Sequence, residues 1–292
     1  MRRYLVPAGL CGALAALIYI YARRVEPRWL DVQRLTLRVP DLPHGLDGLR
    51  LAHLTDLHVT RDGPPGVLAR ALEAIEQAQP ELVVLTGDIV DRGQDADVAA
   101  EALAPLGSWT TFAVFGNHDY SAGPRYVDRM VSLLLARGIR PLRNEAVPYA
   151  RRGSTLWIVG LDYPWRGRDE MAALAAVPPG ARPRLLLTHS AEQVERLPAS
   201  SVDLALAGHT HGGQIYVPVL TRAFLRRKFG GYSSGCYRVN GNPIYINRGL
   251  GSLGIEARFL RRPEVTVITL RPGDGPSVLR RHRPGDDHPR GG

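Results

Sequence analysis

The chain has 292 residues, of which 45% are hydrophobic and 22% charged, enough for one large domain with appendages. Cys11 and Cys236 are its only cysteines, which excludes a disulfide framework and a thiolate zinc site. The formal net charge is +9, yet Lys228 is the only lysine and the arginines are scattered, so the basicity outlines no nucleic-acid groove.

Residues 4–22 are almost wholly apolar and uncharged, between Arg2 and Arg3 on one side and Arg23 and Arg24 on the other. At ~1.5 Å per residue such a run reaches roughly 28 Å, close to a bilayer core. No small-x-small site closes it, so an uncleaved single-pass membrane anchor is expected rather than a signal peptide. Arg23, Arg24, Arg28 and Arg34 outnumber Arg2 and Arg3, which leans towards a catalytic domain on the cytoplasmic side of the cell membrane. Residues 23–48 read as a linker with a first short strand, Leu35 to Val39. Residues 49–271 read as one domain, and the Gly-, Pro- and Arg-rich stretch 272–292 as a disordered tail.

Within the domain, apolar runs end repeatedly in metal-binding residue types. Leu49 to Leu54 runs into Thr55-Asp56-Leu57-His58. After a helical stretch, Leu82 to Leu85 runs into Thr86-Gly87-Asp88-Ile89-Val90-Asp91-Arg92-Gly93. A second helical stretch leads to Thr111 to Phe115 and then Gly116-Asn117-His118-Asp119. Leu185 to Leu187 precedes Thr188-His189, and Leu204 to Ala207 precedes Gly208-His209-Thr210-His211. The strand–helix alternation predicts an α/β fold, in which sites form at the carboxyl ends of parallel strands. Carboxylate, imidazole and amide without thiolate suit Mn, Fe or Zn, and there are more candidate ligands here than one ion needs. Paired ions clamp the oxygens of an in-line displacement and acidify a bound water.

In order, Asp56-x-His58, Gly87-Asp88-x-x-Asp91, Gly116-Asn117-His118-Asp119, His189 and Gly208-His209-x-His211 resemble the motifs of calcineurin-like metallophosphoesterases. The resemblance covers roughly residues 49–271. It implies a four-layer αββα sandwich of two mixed sheets flanked by helices, here following one transmembrane helix. It implies two divalent metals, Mn foremost with Fe or Zn as alternatives. Asp56, His58 and His211 would hold the first, Asn117, His189 and His209 the second, and Asp88 would bridge. A hydroxide between the metals would attack phosphorus, and His118 would serve the leaving group, oriented by Asp91. Arg92 reads equally as a phosphate contact or a surface ion pair. Asp119 reads as support behind the ligands or as a turn cap. His53 reads as a buried strand residue, and His44, His282 and His288 as solvated.

Gly208 to Gln214, then Arg248-Gly249-Leu250-Gly251, Arg258 and Arg262-Pro263-Glu264, resemble a membrane-anchored bacterial subgroup. That resemblance implies a lipid-linked envelope substrate such as UDP-2,3-diacylglucosamine in lipid A biosynthesis, with Arg248 a further substrate-binding candidate. A general phosphodiesterase or a nuclease is the alternative. The expected partners are the lipid bilayer and a phosphoester, with no nucleic acid favoured and no obligate protein partner. Val217 to Phe229 interleaves Leu220, Phe224, Leu225 and Phe229 with Arg222, Arg226, Arg227 and Lys228. It reads either as a core-packing helix or as a segment lying in a membrane interface.

Overall fold

The structure, a computed structural model, describes residues 2–63, 65–163 and 171–273, with side chains from Cys11 onward. Helix α1 (Arg2–Ile20) leads into a domain with twelve strands among the described residues. These are β1 (Asp31–Val39), β2 (Arg50–Leu54), β3 (Leu82–Thr86), β4 (Thr110–Val114), β5 (Ile139–Pro141) and β6 (Glu145–Arg151), then β7 (Ser154–Gly160), β8 (Arg184–Leu187), β9 (Leu204–Ala207), β10 (Gly235–Val239), β11 (Asn242–Ile246) and β12 (Glu264–Pro272). The helices after α1 are α2 (Leu68–Ala78), α3 (Ala96–Leu103), α4 (Pro124–Leu135), α5 (Met171–Ala175), α6 (Ala191–Glu195) and α7 (Pro218–Lys228).

The strands form two six-stranded mixed sheets, β1-β12-β2-β3-β4-β5 and β10-β11-β9-β8-β7-β6. Strands β2, β3 and β4 run parallel in the first, and β7, β8 and β9 run parallel in the second. Their apolar runs are continuous because both faces of each strand are covered. Leu51, Leu82 and Val84 point into the core between the sheets, where they meet Leu185, Leu187, Leu204 and Leu206. The alternate residues Ala52, Leu54, Val83 and Leu85 face outward, onto Leu68, Ala71 and Ile75 of α2 and onto α3 and α4. On the second sheet Leu186, Ala205 and Ala207 face outward, onto α5 and α6. Period-two alternation thus builds helix, sheet, sheet and helix as four layers.

Two boundaries differ from expectation. Strand β1 is longer than the expected Leu35–Val39 and pairs in parallel with β12 from Asp31↔Glu264 to Val39↔Pro272. Residues 31–39 of the stretch 23–48 are therefore built into the sheet, four more than the expected strand. Glu26 is fully buried, and its carboxylate accepts the backbone N–H groups of Leu260 and Arg261. A composition reading misses this because polar strand residues at a sheet edge look like linker. As for the expected span 4–22, the backbone is helical through Ile20 and continues as a π-turn, Tyr21–Val25. Ala22 is buried against the domain. Among the described residues no helix is long and apolar enough to cross a membrane, and the side chains of residues 2–10 lie outside those described. Of the expected tail, 274–292 also lies outside the described residues.

Candidate metal centre

The carboxyl ends of β2, β3 and β4 meet those of β8 and β9 at one rim. The turn after β2 is tied to the turn after β3 by Asp56 N–H on Gly87 O (3.0 Å) and His58 N–H on Asp88 O (3.0 Å). On the other sheet Gly208 N–H donates to His189 O (3.0 Å). The sheets are joined across the rim by His209 N–H, which lies 2.9 Å from Asp56 Oδ2. Close approach requires missing side chains. A Cβ on Gly116 would strike the Asp88 carboxylate and one on Gly208 the Asp56 carboxylate, while one on Gly87 would sit 2.6 Å from His189 Nδ1. Asp56, His58, Asp88, His209 and His211 all adopt positive φ, between 47° and 74°. Non-glycine residues rarely adopt it, and such strain gathers where the fold must aim a side chain.

Two groups of ligand-type atoms result, Asp56 with His58 and His211, and Asp88 with His189 and His209, and a third, His58 with Asp91 and His118, overlaps the first at His58. In the first, His58 Nε2 faces His211 Nε2 at 3.0 Å, and His211 Nε2 lies 3.4 Å from Asp56 Oδ1. In the second, His189 Nε2 lies 2.9 Å from His209 Nδ1, 3.1 Å from Asn117 Oδ1 and 3.3 Å from Asp88 Oδ2. Nitrogens turned towards one another at such range have converged on a common point, as atoms around a cation do. Asp88 stands between the groups, its Oδ2 being also 3.6 Å from His58 Nε2. All seven sequence-expected ligands are therefore together. His189 Nδ1 lies 2.9 Å from Thr86 O, which can only accept, so it carries a proton and leaves Nε2 turned into the site.

The electrostatics are those of buried charges balancing one another. Burial opposes ionisation of Asp88, but His189 and then His58 hold its carboxyl well below the usual range. His189 is raised to about 10 by Asp88 against the effect of burial. Burial, with His189 adding, lowers His209 to about 3. Burial raises Asp56, and it raises Asp119 to about 7 with Asp88 adding.

The residues expected to act around the ligands divide. His118 Nδ1 donates to the backbone carbonyl of Asp91 at 3.0 Å, leaving Nε2 as its free atom. The Asp91 carboxylate is farther, 3.6 Å from His118 Nδ1 and equally 3.6 Å from His58 Nδ1. Orientation of His118 thus comes first from the main chain of residue 91, which sequence cannot distinguish from its side chain. Arg92 is 70% exposed with its Nε 3.9 Å from Asp91 Oδ2, at the rim and beside the site. Arg248 does not face the site as a free cation. Its guanidinium is held by Asp31 at 2.8 Å and by Glu264, closing an ion-pair cluster that also takes in Arg262. Asp119 serves both expected purposes, accepting Gly116 N–H (2.8 Å) and Val90 N–H (3.1 Å) and so fixing two ligand turns to each other. His53 is buried in β2, with Nε2 2.8 Å from Thr86 Oγ1.

Arg258 carries a role that its sequence context does not reveal. It is fully buried, and its guanidinium donates to carbonyls of Arg248, Gly249, Gly251 and Arg261. That fixes the 248–251 loop, whose Gly251 N–H in turn holds Asp56 O at 2.7 Å. Its Nη2 also lies 3.4 Å from His211 Nδ1. The sequence marked Arg258 only as one residue of the subgroup resemblance, without a role, and burial is a property of the fold.

Comparison with known proteins agrees with this centre. The family model described as calcineurin-like phosphoesterase matches residues 49–213. The chain is 31% identical over 280 residues to the uncharacterized metallophosphoesterase YkuE of Bacillus subtilis, covering 90% of this chain and 95% of that one. It is 31% identical over 256 residues to phosphodiesterase YaeI of Escherichia coli, covering 86% and 92%. It is 26% identical over 325 residues to UDP-2,3-diacylglucosamine pyrophosphatase LpxG of Chlamydia trachomatis, covering 90% and 96%.

Proposed function

The chain belongs to the calcineurin-like phosphoesterase family, and from that premise we propose that this metal-dependent hydrolase cuts phosphodiester or pyrophosphate bonds of a lipid-linked envelope substrate. One observation carries the reading of the centre: Asp88 Oδ2 lies within 3.6 Å of a nitrogen from each of two separate ligand groups. Asp56, His58 and His211 would hold one divalent ion, Asn117, His189 and His209 the other, and Asp88 both. The donors are imidazole, carboxylate and amide, a set that suits manganese, iron or zinc. When bound, such ions supply an acidified water and stabilise charge on the phosphoryl oxygens.

The protein's own groups do the rest. His118, anchored through Nδ1 on Asp91 O, presents Nε2 to the leaving oxygen and delivers a proton there. Arg92, exposed at the rim, has room to reach a phosphate oxygen bidentately. A lipid-linked pyrophosphate such as UDP-2,3-diacylglucosamine is supported by the likeness to LpxG over most of both chains and by the apolar N-terminal run. A general phosphodiesterase is the second reading, favoured by the greater identity to YaeI. Purified protein loaded with manganese should hydrolyse bis-p-nitrophenyl phosphate and release UMP from the lipid nucleotide. Cleavage of the diester without UMP release supports the second reading, and cutting of single-stranded DNA in its place would make the enzyme a nuclease.

A further inference from the structure

Among the described residues seventeen large apolar side chains are exposed, and all but Leu135 and Met171 fall on three joined segments. The first is α1 and its root, from Leu14 to Trp29. The second is Ile215, Val217, Val219, Leu220 and Phe224, entering and running along α7. The third is Leu253, Ile255 and Leu260. Backbone bonds hold them side by side. Tyr216 N–H donates to Phe259 O (2.9 Å) and Arg258 N–H to Ala22 O (2.9 Å). The Gln214 amide donates to the carbonyls of Leu253 (3.1 Å) and Ile255 (3.0 Å), and the Tyr21 ring meets Phe259 edge-on at 6.3 Å. Scattered exposed apolar residues are ordinary, but a contiguous field of them marks a contact surface.

Core packing does not account for this face. Helix α7 buries Thr221 and Leu225, while Val219 is 78% and Leu220 70% exposed. Residues 215–228 also contain Arg222, Arg226, Arg227 and Lys228 and no acidic residue. Glu256 is the one acidic residue of 253–260. The last turn of α7 sets Arg226, Arg227 and Lys228 on the exposed surface. A second copy of the chain would bring these like charges together, whereas anionic headgroups complement them. We propose that this side of the molecule docks on an anionic lipid bilayer, with α7 and the 253–260 loop lying in the headgroup layer. Phe229, at the end of α7, packs edge-on against the His209 ring at 5.2 Å, so the end of the docked helix adjoins the metal centre. The inference concerns where the domain sits and holds whichever phosphoester is cut.

The test uses the full chain with Cys11 and Cys236 replaced and one cysteine introduced at Leu220, Ile255 or Ser132, carrying an environment-sensitive fluorophore. Ser132 is exposed on α4 and serves as the control. With vesicles containing anionic phospholipid, the labels at 220 and 255 should brighten and shift to the blue, and the label at 132 should not. Changing Arg226, Arg227 and Lys228 together to Gln should weaken docking by about 10²-fold, at roughly a factor of five per basic residue. Thermal melts of each labelled chain establish that it is folded. If the chain sediments with vesicles while positions 220 and 255 stay as wet as 132, α1 alone tethers the protein and the docking face is refuted. A shift that appears without vesicles as protein concentration rises would assign the face to a second copy and refute it equally.

Discussion

His118→Ala and Asp91→Ala distinguish what residue 91 contributes through its main chain from what it contributes through its carboxylate. His118 Nδ1 is hydrogen-bonded to Asp91 O at 3.0 Å, a contact that alanine at 91 keeps. The carboxylate at 3.6 Å is too distant for a good hydrogen bond and acts on a protonated imidazole through space. Unit charges at that range are worth from about 1 kcal/mol in water to about 4 kcal/mol at an effective dielectric of 20. The two side chains are 22% and 28% exposed, so the lower part of that range applies. About 1–2 kcal/mol corresponds to roughly 5–30-fold in kcat for Asp91→Ala. Removing the general acid should cost ~10²–10⁴-fold. Since the Asp91 carboxylate also lies near His58, Asp91→Ala should weaken metal binding by about 10–100-fold, and kinetics must be read at saturating metal. The assay is kcat for diesters with p-nitrophenol and with alkyl leaving groups, beside metal content per chain. His118→Ala should keep its metals and lose most on the poor leaving group. Equal losses in kcat for the two variants at full metal occupancy would refute the main-chain account. Loss of metal from His118→Ala in step with activity would make it a ligand.

Asp88→Asn should lower metal content and turnover more than Asp56→Asn, because one anionic carboxylate stands between both ligand groups; metal analysis of the two dialysed variants checks this. Gly116→Ala should destabilise the fold by about 1–3 kcal/mol in urea titration and empty the centre, since its Cβ would strike Asp88 and sit 2.8 Å from His189 Cε1. His53 is lowered to about 3 by burial. Between its ordinary value near 6.5 and about 3 the unfolded chain takes up a proton that the folded chain refuses, so stability falls as pH falls through that window. His53→Gln should flatten the acid slope by up to ~1.4 kcal/mol per pH unit, read from urea midpoints across the window.

Much of the centre was legible because the information is local. Each of β2, β3, β4, β8 and β9 is a buried apolar run, and its ligands come within four residues of its end. What escaped depends on pairing across long separations. The partner of β1 is β12, more than two hundred residues away, so Asp31 and Gln33 resemble linker until Glu264 and Thr266 are set beside them. The same pairing brings Asp31 and Glu264 onto Arg248, turning an expected substrate contact into a structural ion pair. The left-handed backbones at Asp56, His58, Asp88, His209 and His211 have no sequence signature, since Asp and His visit positive φ more readily than most residues yet adopt it at only a small share of their positions.

Those five strained backbones, the glycines that admit them and the buried charges form one problem with one solution. Asp56, Asp88 and Asp119 are all buried, and each lone buried carboxylate is costly. Asp88 raises His189 to about 10 against the effect of burial, and burial raises Asp119 to about 7 and raises Asp56 as well. Divalent cations bound to the same nitrogens and oxygens would displace protons from His189 and Asp56 and neutralise Asp88 directly, so metal uptake and proton release are linked. The strain then has a use. It holds two sets of donors converged, from two sheets whose turns interlock only because Gly87, Gly116 and Gly208 lack side chains. Ligands already converged forfeit little conformational entropy on binding, and the energy of binding metal goes instead into the folded state that alone presents them.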